Sequence, residues 1–101
     1  MNMQKDFSKP LWTPKILKAK IELETALNSG TATADQLKNR CMTLQKSLSA
    51  DLTKIDPTLL PIADVAVSVL NKAIGELDNP ERGYQAEMSM RDALNNIRAV
   101  A

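Results

Sequence analysis

The 101-residue chain contains no histidine, so the commonest general base, metal ligand and pH switch are missing together. Neither a Ser–His nor a Cys–His nucleophile can be assembled from what remains. The one cysteine, Cys41, falls on the apolar side of a helical pattern, where a buried thiol behaves as a small, inert hydrophobe. A zinc site needs several Cys or His ligands, and one residue does not supply them.

Carboxylates are the remaining candidates for acid–base or metal chemistry. Asp78 and Glu81 flank a turn, and Glu87 and Asp92 fall on one helical stretch, without the paired spacing that such chemistry uses. The three glycines are scattered, so no phosphate-cradling loop is present. These residues read as solvated charge and helix caps. The composition points away from catalysis, and neither a cofactor nor a metal is expected.

Lysines offer a different chemistry. Residues 1–20 carry Lys5, Lys9, Lys15, Lys18 and Lys20 against Asp6 alone, interleaved with Phe7 and Trp12. Such a segment can contact phosphates and stack on bases. Against this, arginine, the usual reader of base edges, is absent before Arg40, and the net charge is only +1. Glu22 and Glu24 follow Lys18 and Lys20 by four residues, a spacing that pairs opposite charges along a helix. Nucleic-acid binding through Lys5, Lys9, Lys15 and Lys18 is therefore the second reading.

Any such site must be held by helices. Residues 1–12 lack a helical period and contain Pro10, which predicts an extended basic N-terminal arm. Residues 13–101 read as one helical-bundle domain, large enough for a single core with little to spare. Thr13-Pro14 opens a helix over about 14–28, closed by Gly30. Thr33 with Gln36 forms a capping box for a helix over about 34–55. Asp56-Pro57 and Pro61 set a third over about 58–77, and Asn79-Pro80 opens a fourth over about 80–100. Four helices with short connections predict an all-α fold, an antiparallel up-down bundle. Aromatic residues make up only 3% of the chain, so its core must be aliphatic.

The third helix has the widest apolar face. From Leu60 to Leu77 the apolar side chains sweep an arc of roughly 180° at ~100° per residue. Asp64, Ser68, Asn71 and Lys72 leave a narrow wet stripe. One neighbour cannot cover that arc, so coverage from several sides is expected, by this chain or by a second copy. In the second helix, Leu37, Cys41, Leu44, Leu48, Leu52 and Ile55 form a narrower seam.

Two pairs fall off the predicted seams: Leu17 with Ile21, and Tyr84 with Met88. Trp12 either folds back over the first pair as a hydrophobic staple or anchors a partner there. Tyrosine and methionine suit an adaptable contact surface. The lone cysteine, the lack of a secretory leader and the interruption of the apolar run 59–70 by Asp64 predict a soluble, cytoplasmic chain without a membrane partner. The leading expectation is a non-catalytic protein–protein interaction module. It would be a small helical adaptor, regulator or inhibitor that forms dimers or larger homo-oligomers. Its candidate contacts are Trp12, Leu17, Ile21, Tyr84 and Met88.

Overall fold

Thr13 starts the first helix of the computed structural model, which describes residues 12–97. Its hydroxyl accepts from the Ile16 N–H at 3.3 Å, and Pro14 occupies the first turn, where a missing N–H leaves nothing unpaired. Helix α1 (Pro14–Ser29) ends at Gly30, whose φ of 72° is the left-handed conformation that closes helices. Helix α2 (Ala34–Ala50) begins with the expected box. The Gln36 N–H donates to the Thr33 hydroxyl at 3.1 Å, and the Thr33 N–H donates to Gln36 Oε1 at 2.9 Å.

The second helix stops five residues earlier than the apolar pattern indicates. Asp51 caps it, and the chain tightens into a 3₁₀ turn over Leu52–Lys54. The cause lies in the Asp51 side chain. Its carboxylate is buried and accepts from the Thr13 hydroxyl at 2.5 Å, with the Lys54 ammonium 3.9 Å away. A buried carboxylate needs such partners, and holding them fixes the end of the helix. Leu52 consequently leaves the seam and is exposed, whereas Ile55 is buried on the far side of the turn.

A second 3₁₀ turn (Pro57–Leu59) leads into helix α3 (Leu60–Leu77), with Pro61 in its first turn. A third 3₁₀ turn (Pro80–Arg82) precedes helix α4 (Gly83–Asn96). These two helices therefore start two or three residues later than the cap-plus-proline signals suggest. The prolines fix the entry angle, and the tighter turns take up the first residues.

The four helices form an all-α, antiparallel up-down bundle; no strand occurs among the described residues. Helix α3 lies between α2 and α4, while α1 packs chiefly on α2. Its buried seam is built from Ala63, Ala66, Leu70 and Ala73. Three alanines let the neighbouring backbones come close, and larger side chains from Leu44, Leu48, Met90 and Ile97 fill the same core. On the α2 side, Gln45 Nε2 donates to the Val67 carbonyl at 3.1 Å and to Asn71 Oδ1 at 2.8 Å. On the α4 side, the Ser89 hydroxyl donates to Glu76 Oε1 at 2.7 Å.

The chain thus covers α3 from two directions, and its N-terminal end is the exception. Leu60, Ile62 and Val65 remain exposed there, so the described residues do not enclose the whole apolar arc. The register explains this: with Glu76 beside Ser89, Ile97 comes level with about Ser68, and Ile62 and Val65 lie beyond it.

The helical segment Pro57–Leu77 runs 21 residues at a mean hydropathy of 1.3, long and apolar enough by length and composition alone to cross a membrane. That corrects the shorter span read from residues 59–70, because the helix continues through Asp64. Asp64, Asn71 and Lys72 on its wet stripe are costly in hydrocarbon, and the bundle uses the opposite side for packing. The arm expected over residues 1–12 lies, apart from Trp12, outside the described residues, as do the last positions of the fourth predicted helix.

Two glycines give opposite predictions. Gly75 sits in α3 with ordinary helical geometry and open space around a built Cβ, so Gly75→Ala should raise stability by roughly 0.5–1 kcal/mol. Gly30→Ala should lower it by roughly 1–2 kcal/mol, because φ is positive there. Chemical denaturation of both variants checks the pair.

Candidate interaction surface

Helix α4 separates its faces sharply. Ala86, Ser89, Met90, Ala93 and Leu94 turn inward and are buried. Tyr84 and Met88, one turn apart on the opposite face, are 72% and 55% exposed. Asp92 and Asn95 continue that outer face toward the C-terminal end of the helix. Beside it, the flank of α3 contributes Lys72, and a shallow depression of about 670 Å³ lies between Lys72, Tyr84, Met88 and Asp92.

Two of its lining residues, Lys72 and Ser89, engage a buried carboxylate. Glu76 is only 8% exposed, yet one carboxylate oxygen accepts from Ser89 and the other lies 3.6 Å from the Lys72 ammonium. With both oxygens engaged, the carboxylate avoids the cost of an unpaired buried ion. It also locks α3 against α4 in one register. At the other edge, the Arg91 guanidinium donates to Glu87 at 3.1 Å and to Asn28 at 3.2 Å. That second bond ties α4 to the end of α1.

The other predicted contacts do not gather on one face. Trp12 is buried in the main core, 3% exposed, which removes it from any surface that a partner reaches. The Thr13–Asp51 bond next to it explains why: the chain is pinned across the start of α1 and the end of α2. Leu17 is half-buried against the same core, while Ile21 is 56% exposed and left uncovered. Among the described residues no staple covers the pair: Trp12 packs into the core, and the arm that would carry the rest of it lies outside them.

Lys15 and Lys18 are exposed on α1; Lys5 and Lys9 lie outside the described residues. Glu22 faces Arg40 of α2 at 3.9 Å and makes no ion pair with Lys18 among the described residues.

A feature that the sequence pattern does not reveal is a cleft of about 310 Å³ between the two hairpins, at the end where both connecting turns lie. Leu27, Leu37, Leu77, Pro80, Gly83 and Met90 line it, and four elements must come together before it exists. Its polar groups are already engaged: Asn79 Oδ1 accepts from the Glu81 N–H at 3.0 Å, and Glu87 accepts from Arg91. Nearby, the Lys38 ammonium donates to Asp78, and that bond raises the Lys38 pKa above its ordinary value. Among the described residues, no cluster of three or more His, Cys, Asp or Glu side chains is placed to hold a metal ion.

By architecture this is a small four-helix bundle whose outermost helix presents an apolar pair to solvent. Comparison with protein-family models, curated proteins and solved structures yields no significant match.

Cys41 is fully buried, and desolvation pushes its thiol up to about 12. The neutral form is favoured in the folded state, so above pH ~9 the unfolded state loses its proton first. Stability should therefore be unaffected by this group below pH ~9 and fall from there toward pH 12. Urea denaturation across that range should show a smaller alkaline loss in Cys41→Ala than in the wild type.

Proposed function

We propose that this protein is a non-catalytic protein–protein interaction module, a small helical adaptor, regulator or inhibitor that associates with itself. One observation carries the reading: Tyr84 and Met88 stand together on the outer face of α4, largely exposed, in a chain whose other aromatic side chain among the described residues is buried. Burying a large apolar side chain contributes roughly 1.5–3 kcal/mol, so leaving two adjacent ones in water favours a surface that becomes covered. The further bare residues on α3, Ile62 and Val65, add to the same tendency. The chemistry points the same way, since Asp51, Glu76, Asp78 and Glu87 are engaged in ion pairs and Cys41 in core packing. The proposal includes a reducing, cytoplasmic setting, in keeping with a single cysteine that is buried.

A second reading is nucleic-acid binding through the basic start of the chain. It is favoured by the exposure of Lys15 and Lys18 and by the turn of Glu22 toward Arg40. That reading predicts a complex whose affinity falls steeply with salt and weakens when residues 1–11, short of the buried Trp12, are deleted.

Light scattering over a concentration series separates the two readings. Self-association predicts a species heavier than the 11.1 kDa chain that grows with concentration, without added nucleic acid. A strict monomer at the highest concentration, with a gel shift at low ionic strength, would favour the second.

A further inference from the structure

We infer that two copies pair through α4 itself, antiparallel, about a two-fold axis beside Met88. This deepens the self-association proposed above and rests on it. The outward positions Glu81, Tyr84, Met88, Arg91 and Asn95 follow the alternating three-four spacing of a helix-packing seam, beginning in the turn before α4. Along that seam the charges are ordered, acidic at the start and basic near the end.

An antiparallel two-fold keeps the α3-facing edge of one copy against the α3-facing edge of the other. On that edge Gln85 comes level with the partner's Asp92, and its amide can donate to that carboxylate. Lys72, 69% exposed along its side chain and reaching past α4 from α3, comes level with the turn that holds the partner's Glu81. On the opposite edge Arg91 comes beside the partner's Tyr84. The Arg91 Nε and Nη1 are held by Glu87 and Asn28, which leaves the flat face of the guanidinium for the ring. The two Met88 side chains meet at the axis. Every contact off the axis occurs twice, as an isologous interface requires.

The occupant of the α4 face is therefore a second copy of this chain, chosen by charge and hydrogen-bond complementarity that the face has with itself. A single helix pair buries less than the ~1,600 Å² of a standard specific interface, so the association is reversible. Ile62 and Val65 lie beyond the overlap and take no part.

Sedimentation equilibrium of the full chain, with circular dichroism to confirm folding, tests the geometry. Tyr84→Ala and Asp92→Lys should each weaken the dimer by about ten-fold. Adding Gln85→Glu to Asp92→Lys should restore most of the loss, and Val65→Ser should leave the affinity unchanged. Mild oxidation of Met88→Cys should give a covalent dimer, while Val65→Cys stays monomeric on the same gel.

A dimer that resists Tyr84→Ala and Asp92→Lys but is lost with Val65→Ser would overturn the α4 pairing and leave self-association standing. So would a wild-type dimer in which Met88→Cys fails to cross-link. A wild-type monomer at every concentration would overturn both.

Discussion

The wide apolar side of α3 must be covered, and the rest of the bundle is arranged to cover it. Ala63, Ala66, Leu70 and Ala73 form a seam with little side-chain bulk, so neighbouring helices can approach closely and supply the larger groups. Helix α2 lies along one side of that seam and α4 along the other, and α1 packs chiefly on α2 while also meeting α4. Hydrophobic burial is non-directional, however, and by itself would let the helices slide or rotate.

Polar contacts between helices supply the direction, two of them buried. Glu76 with Ser89 fixes α4 against α3, Gln45 with Asn71 and the Val67 carbonyl fixes α2 against α3, and Thr13 with Asp51 fixes the start of α1 against the end of α2. The two buried pairs, Glu76 with Ser89 and Thr13 with Asp51, are satisfied at one register and leave a buried polar group unpaired at any other, a penalty of roughly 1–3 kcal/mol for a neutral group. The apolar arc thus sets which helices touch, and three polar contacts set how. The surface of the bundle follows from that choice. Once Ser89 turns inward to Glu76, Tyr84 and Met88 must turn outward on the same rigid helix.

Much of the architecture was legible in the chain because its signals are local. Thr13-Pro14, the Thr33–Gln36 box, Gly30 and Asn79-Pro80 act within four residues, and the structure places a helix boundary or turn at each. The periodic faces of α2 and α3 were readable for the same reason. What failed depended on contacts distant in sequence. The second helix ends at Ala50 because Asp51 meets Thr13, thirty-eight positions away, and no window around residue 51 contains that fact. Trp12 reads as a surface aromatic until the same bond pins it over the core. The inter-hairpin cleft needs four elements at once. The outer pair on α4 was visible as two off-seam residues, but its exposure could be known only after α1, α2 and α3 were positioned.

The most direct test of the account is native-state hydrogen exchange along α3. If the small-residue seam between α2 and α4 organises the bundle, the amides from Ala63 to Ala73 should be the most protected in the chain, opening only with global unfolding. Exchange at those amides as fast as in the connecting turns, with α1 and α2 better protected, would contradict it.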